Sequence, residues 1–164
     1  MNPRLLGAAL VTGAGLWGGW QRRHWYTRRR RTLSAFCHAL ARMEAELSAG
    51  DRDTWALLAL LNGPFFRTLG RRQGELDTMT FAMLWTDTLN RSALPLRREE
   101  LALLERPGAV LGRYDGETQA FLLAQIRREL ERTLEMARQQ EQRQGRTALL
   151  LGVSLALAVS AILL

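Results

Sequence analysis

The chain has 164 residues, a formal net charge of +7 and a hydrophobic fraction of 47%. The charge excess is local, because residues 32–164 hold as many acidic residues as arginines and the surplus arginines lie in residues 4–31. A nucleic-acid-binding domain carries its excess charge on the folded domain, so this distribution argues against nucleic-acid binding. A single cysteine, Cys37, excludes an intramolecular disulfide bond.

The first predicted element is an apolar segment at the N-terminus. Residues 5–20 contain no charged residue, and arginines follow at positions 22, 23 and 28–31. A charge-free run of about 18 residues is typical of a transmembrane helix. We therefore predict a transmembrane segment over residues 1–21 and a basic juxtamembrane stretch over residues 22–31 that contacts anionic lipid. A cleaved signal peptide is the alternative, but residues 17–26 offer no small-x-small cleavage site.

Residues 32–145 are predicted to form a soluble helical domain. Its first helix is indicated by apolar residues spaced three and four apart, namely Leu33, Phe36, Leu40, Met43 and Leu47. Nothing between Trp20 and Leu33 breaks a helix, so the apolar segment is expected to continue into it. Gly50 ends this helix.

Four further helices are predicted in the middle of the chain. They cover Thr54–Leu61, Phe65–Arg72, Asp77–Asn90 and Arg97–Glu105, with an irregular segment as the alternative for Phe65–Arg72. The third has apolar residues on much of its surface, including Met79, Met83 and Trp85, and is expected to be the central core helix. Arg106-Pro107-Gly108 is expected to end the fourth, because proline and glycine interrupt helices.

The last predicted helix begins at Glu117, after a turn in which Asp115 is expected to cap it. Its apolar seam consists of Leu123, Ile126, Leu130, Leu134 and Ala137. The polar stretch Gln139–Gln144 is expected to be a solvated helical stalk. Residues 146–164 are predicted to be a second transmembrane segment.

These elements predict an all-α fold, a bundle of about six helices flanked by N- and C-terminal transmembrane helices. Arginines cluster on the domain side of both apolar segments, and such loops stay cytoplasmic. We therefore expect a cytoplasmic domain with both termini across the membrane.

The residues that carry catalysis or bind metals are sparse in this sequence. Two histidines and one cysteine cannot build a zinc site, and adjacent Cys37 and His38 point about 100° apart on a helix. No phosphate-binding glycine motif occurs outside the apolar segments. We expect no enzymatic activity, no metal and no cofactor.

Several motifs, taken in order, resemble a known family. They are Arg4–Gly7, the segment Leu40–Gly50, Trp85 in mid-domain, the set Leu111-Gly112, Asp115 and Gln119, and Leu151-Gly152 before an apolar end. This layout is similar to that of stage III sporulation protein AB, and the resemblance covers nearly the whole chain. Pro107-Gly108 stands where that family usually has Phe-Gly.

The resemblance implies a fold similar to the cytoplasmic domain of type II secretion platform proteins, a six-helix bundle. It implies a subunit of a secretion-like channel between mother cell and forespore, located in the outer forespore membrane on the mother-cell side. The implied partners are the membrane, other channel subunits and a secretion-type ATPase of the same operon, with homo-oligomerisation left open. The family supplies no catalytic residues. Its defining positions here, structural or partner-binding, are Trp85, Leu111, Gly112, Asp115 and Gln119.

A second hypothesis is a general membrane-tethered coiled-coil scaffold or regulator unrelated to sporulation. The two apolar seams, Leu33–Leu47 and Leu123–Ala137, motivate it. An antiparallel pairing of these helices would return both apolar segments to one membrane, as both hypotheses require.

Overall fold

A computed structural model describes the backbone of residues 3–50 and 54–163 and the side chains of residues 23–50 and 54–142. This part of the chain contains helices and no β-strand, which confirms the predicted all-α class. Residues 3–50 and 54–163 form six α-helices and one short 3₁₀ helix, Gln73–Asp77. The α-helices are α1 (Pro3–Ala49), α2 (Thr54–Ala59), α3 (Pro64–Arg71), α4 (Phe81–Arg91), α5 (Arg98–Val110) and α6 (Gly116–Leu163).

The chain divides into two compact units, one of residues Arg31–Glu135 and one that combines Met1–Arg30 with Met136–Leu164. In the first unit, α1 and α6 run antiparallel. The start of α6 lies at the end of α1, where a methyl group on Gly116 would be 3.5 Å from the carbonyl oxygen of Leu47. Farther along α6, Arg127 Nε is 2.9 Å from Glu44 Oε2. The predicted domain boundaries, residues 32–145, stay a prediction.

Both predicted apolar seams are buried. On α1 and α6 the seam residues lie on the inward stripe that a spacing of three and four produces. They are Leu33, Phe36, Leu40, Met43 and Leu47 on α1, and Leu123, Ile126, Leu130, Leu134 and Ala137 on α6.

An aromatic cluster centred on Trp85 joins α3 and α4. The Trp85 ring lies 4.9 Å from Phe65 and 6.0 Å from Phe81, measured between ring centroids. Phe65 in turn lies 5.3 Å from Phe36 of α1. Such tilted and edge-to-face pairs add about 0.5–1.5 kcal/mol each beyond their buried area. Trp85 is thus the centre of this core. The whole of α4 is not, because Met83 in the same helix is 62% exposed.

The helix predicted to end at Arg106-Pro107-Gly108 continues through these residues to Val110, so that prediction was wrong. Leu111 N–H donates to the Pro107 carbonyl at 3.0 Å, which keeps the helical path beyond the proline. Pro107 and Gly108 are both buried, so tertiary packing offsets the cost of the missing proline N–H.

The prediction that α4 begins at Asp77 was also wrong. Residues Gln73–Asp77 form the 3₁₀ helix instead, and Thr80 caps α4 by accepting a hydrogen bond from Met83 N–H at 3.4 Å. Arg72 holds this region together, because its guanidinium contacts Glu75 at 2.6 Å and Asp87 at 2.7 Å. Hydrogen bonds from Arg72 lower the pKa of both carboxyl groups.

In the second unit, α1 and α6 meet through polar side chains. Thr27 Oγ1 donates to Glu141 Oε1 at 2.9 Å, and Arg30 Nε lies 2.8 Å from Glu141 Oε2. Arg29, 3% exposed, donates to Gln140 Oε1 at 3.1 Å. Two arginines predicted to contact lipid therefore contact α6, and Gln140 and Glu141 of the predicted solvated stalk are half-buried.

Within the described part of the chain, no helix combines the length and the apolar character needed to cross a bilayer. The predicted transmembrane segments, residues 1–21 and 146–164, lie outside the residues whose side chains are described.

Candidate functional site

Four of the five predicted motif residues come together at the corner between α5 and α6. Leu111 follows the last residue of α5, Gly112 begins the connection, Asp115 precedes α6 and Gln119 lies in the first turns of α6. Trp85, the fifth, lies in the core within α4. We call residues 111–119 the α5–α6 corner.

The turn of the corner is made possible by Gly112. Its φ is 75°, in the left-handed region that side chains with a Cβ rarely adopt. Leu111, immediately before it, is extended and buried, so it anchors the end of α5 in the core. A glycine after the last helical residue is the common way to end an α-helix.

The side chain of Gln119 closes the corner from the α6 side. Its Oε1 accepts the Gly112 N–H at 3.1 Å, and its Nε2 donates to the Tyr114 carbonyl in a short hydrogen bond. Gln119 is only 7% exposed. Because one buried amide serves both a donor and an acceptor of the loop backbone, it fixes the loop relative to α6.

Asp115 caps α6 as the sequence predicted. Its Oδ2 accepts the Thr118 N–H at 3.0 Å, and its Oδ1 accepts the Thr118 hydroxyl at 2.7 Å. These bonds favour the carboxylate and lower the pKa of Asp115 below its usual value. The cap satisfies a backbone donor that would otherwise have no partner at the helix start.

Trp85 is connected to the corner through α5. Its indole Nε1–H donates to the Leu104 carbonyl at 2.7 Å, and its ring lies directly against Gly108. A Cβ placed on Gly108 would be 2.5 Å from Trp85 Cγ, which is closer than real side-chain contacts allow. Gly108 therefore lets the indole touch the α5 backbone, three residues before Leu111.

All five motif residues thus make contacts inside the domain, which favours their structural role over a direct role in partner binding. The polar atoms of Gln119 and Asp115 are used to build the corner. The α5–α6 corner therefore determines where α5 ends and where α6 begins.

Among the residues with described side chains, no group of three or more histidines, cysteines and acidic residues could hold a metal ion. Cys37 is buried and His38 is exposed, so the adjacent pair faces different surroundings. This agrees with the angle of about 100° between successive residues on a helix.

Two residues that shape this region, Gly108 and Arg72, are not identified by the sequence patterns. Gly108 was interpreted as part of a helix stop, although apolar residues at helical spacing on both sides could have indicated a buried glycine in a helix. Arg72 received no role: Glu75 is a local partner three residues later, but Asp87 becomes a neighbour only when this region packs on α4.

The fold and the corner define an all-helical domain organised around an antiparallel pair of long helices and a buried tryptophan. The family model for stage III sporulation protein AB matches residues 4–164, so the chain belongs to the stage III sporulation protein AB family. The resemblance in the sequence is therefore confirmed. This family is one of structural sporulation proteins and not of known enzymes, and membership supports a role in sporulation.

One solved structure, described as "Stage III sporulation protein AB (SpoIIIAB)", shares the fold with a TM-score of 0.58 and 22% sequence identity. The match covers 71% of this chain and 98% of that chain. None of the curated proteins compared with the chain matches it.

Proposed function

We propose that this protein is a membrane-anchored platform subunit of the secretion-like channel between mother cell and forespore that endospore formation requires. The observation that carries the proposal is the family match over residues 4–164, which includes both charge-free terminal segments. In this proposal residues 1–21 and 146–164 span the outer forespore membrane, and the helical domain faces the mother-cell cytoplasm.

The proposed partners of the domain are the cytosolic secretion-type ATPase of the same operon and other channel subunits. The interior of the α5–α6 corner is an unsuitable docking surface, because its polar side chains already serve the fold. A partner would instead contact the outer faces of the helices. The protein itself acts as a structural platform in this proposal and performs no chemistry.

A general membrane-tethered scaffold is the second candidate. Within the unit that combines Met1–Arg30 with Met136–Leu164, Thr27 of α1 pairs with Glu141 of α6 at 2.9 Å, which favours a tether with both ends at one membrane, since each of these helices carries one charge-free segment. Family membership supports sporulation over an unrelated role, so the platform function is the better supported of the two.

Membrane topology tests the proposal. Gly74 is exposed with open space around it, and Cys37 is buried, so a Cys37→Ala chain with Gly74→Cys offers one reactive thiol in the domain. A second Cys37→Ala chain carries its only cysteine after Leu164. Both chains are produced in non-sporulating cells, where the cell membrane receives the protein and its outer face is open to reagents, and are treated with a membrane-impermeant maleimide before and after permeabilisation.

We expect the thiol after Leu164 to react in intact cells and the Gly74→Cys thiol to react only after permeabilisation. The Cys37→Ala chain without an added cysteine is the control for background labelling. Labelling of Gly74→Cys in intact cells would place the domain outside the cytoplasm and would rule out a cytosolic ATPase as its direct partner.

A further inference from the structure

One exposed face of α1 carries a basic stripe. Within the unit Arg31–Glu135 the stripe follows a spacing of four, three, four and three residues, which places its members on one side of the helix. We call it the α1 basic face, and its residues, all exposed, are Arg31, Ala35, His38, Arg42 and Ala45. The apolar seam that begins at Leu33 lies on the opposite, buried side.

The α1 basic face carries two arginines and a histidine and no carboxylate of its own. Glu44 in the next turn is engaged by Arg127 of α6 at 2.9 Å. Glu46, four residues after Arg42 and at the edge of the face, is half-buried, so the two arginines outnumber the one carboxylate beside them. Residues 32–164 are neutral in sum, so this face is a local positive excess on an otherwise balanced domain.

The shape of the face suits a helix. Ala35 and Ala45 present only methyl groups, so a second helix can approach the backbone of α1 closely. The alternating spacing of four and three is the spacing along which two helices pack. Arg31 and Arg42 on the same face would then select a partner helix of opposite charge.

Two other occupants fit the face less well. An interfacial lipid site needs large apolar residues that enter the bilayer, and this face has none larger than alanine. A symmetric contact between two copies of the chain would bring the same basic patch against itself, and like charges oppose each other there.

We propose that the α1 basic face docks an acidic helix of the cytosolic ATPase partner. The partner's identity rests on the proposed function, whereas the location of the surface and its preference for negative charge rest on the residues above. Arg31 and Arg42 would pair with carboxylates, and Ala35 and Ala45 would lie beneath the partner helix.

The experiment measures the affinity of the full-length chain, in nanodiscs of uncharged lipid, for the purified ATPase of the same operon. The test variant is Arg31→Gln/Arg42→Gln, which removes two charges and leaves a polar side chain at each position. The matched control is Arg128→Gln/Arg132→Gln, which removes two exposed charges from α6. A third variant, Ala35→Gln, leaves the charge unchanged and adds bulk under the partner helix.

We expect the Arg31→Gln/Arg42→Gln and Ala35→Gln variants to bind about tenfold more weakly than the parent, a change of about 1.4 kcal/mol. The α6 control should bind within about twofold of the parent. The salt dependence of binding should also fall for Arg31→Gln/Arg42→Gln, because fewer charged contacts remain to be screened.

The remaining outcomes separate this inference from the proposed function. If the parent chain binds the ATPase and all variants bind equally, the docking surface is elsewhere and only the inference fails. If the parent does not bind, both ATPase docking and the inference fail. If the α6 control lost as much ATPase affinity as Arg31→Gln/Arg42→Gln, the effect of charge would be non-specific and the inference would be overturned. The inference would also be overturned if Arg31→Gln/Arg42→Gln bound the ATPase as tightly as the parent but no longer bound vesicles containing phosphatidylserine. That result would show that the face contacts lipid.

Discussion

At the residue scale, the contact between Gly108 and Trp85 shows how one missing side chain positions an aromatic ring. The indole lies where a Cβ on Gly108 would be, and its N–H reaches the Leu104 carbonyl one turn earlier in α5. Glycine in a helix costs about 1 kcal/mol relative to alanine, so close packing has to offset that cost.

We predict that Gly108→Ala destabilises the protein by about 3 kcal/mol, because the added methyl group overlaps the Trp85 ring atoms. Gly70→Ala is the matched control, since no atom lies within 4 Å of its added methyl group. The control should be neutral or stabilising by up to about 1 kcal/mol. The unfolding free energies of Gly108→Ala and Gly70→Ala are measured by chemical denaturation, with tryptophan fluorescence as the signal. Equal stability of the two variants would contradict the contact.

Gln119 leads to a second prediction at this scale. Gln119→Ala removes the acceptor for Gly112 N–H and the donor to the Tyr114 carbonyl. Because the loop backbone is partly exposed, water replaces part of the loss, and we expect a cost of about 1–2 kcal/mol. Gln125→Ala, at an exposed site two turns later in α6, should cost less than about 0.5 kcal/mol. Thermal unfolding of the two variants compares them.

At the scale of elements, the ends of the helices follow from identifiable side chains. Asp115 begins α6 by accepting two bonds from Thr118, and Thr80 begins α4 by accepting one from Met83. Glu100, near the start of α5, accepts the Arg97 N–H at 2.8 Å. Each acceptor satisfies a backbone donor that the first turn of a helix leaves without a partner.

The Asp115 cap predicts a pH dependence of stability. Its folded-state pKa lies below the usual aspartate value, so the unfolded chain takes up a proton first as pH falls. The stabilisation is therefore complete above the ordinary aspartate pKa, and it is lost as pH falls through the lowered folded-state value. The melting temperature of Asp115→Asn should be below that of the parent at pH 7, and the difference should shrink toward pH 2.

The same pH series with Asp77→Asn is the control, because Asp77 is an exposed aspartate at the end of the 3₁₀ helix. That variant should follow the parent at every pH. A constant difference between the parent and Asp115→Asn from pH 7 to pH 2 would show that the carboxylate charge has no part in the cap.

At the scale of the whole molecule, one side chain, Trp85, links three helices of the unit Arg31–Glu135. Trp85 is fully buried and contacts Phe65 and Phe66 of α3, Phe81 of α4 and Gly108 of α5. Its removal therefore affects three helices at once.

We predict that Trp85→Ala costs about 3–5 kcal/mol, a large share of the 5–15 kcal/mol that stabilises a typical domain. The unit should lose its near-ultraviolet circular dichroism and become sensitive to proteolysis. Met83→Ala, in the same helix and at an exposed position, should leave both properties unchanged. A Trp85→Ala protein as resistant to protease as the parent would contradict this central role.

Local patterns in the sequence were sufficient for several features. The spacing of Leu33 to Leu47 and of Leu123 to Ala137 identified both long buried seams, and Asp115 was identified as a cap from its place before α6. These features depend on neighbours three or four residues apart, which helical geometry brings together whatever the rest of the fold does.

Other features required contacts between residues that are distant in sequence. The continuation of α5 through Pro107 depends on Trp85, about 20 positions earlier, and the role of Arg72 depends on Asp87. The burial of Arg29 depends on a segment more than 100 residues away, in which Gln140 accepts its hydrogen bond. Propensity alone predicted a helix stop at the proline and solvated arginines in the basic stretch.

The sequence by itself determined the all-helical class, the two apolar seams and the family, because periodicity, capping residues and the order of motifs can be recognised from neighbouring positions. Only the tertiary structure decided where α4 begins and α5 ends, which arginines face α6, and that Gln119 closes the α5–α6 corner. The physical reason is that burial and hydrogen bonding between distant residues outweigh local propensities of about 1 kcal/mol per residue.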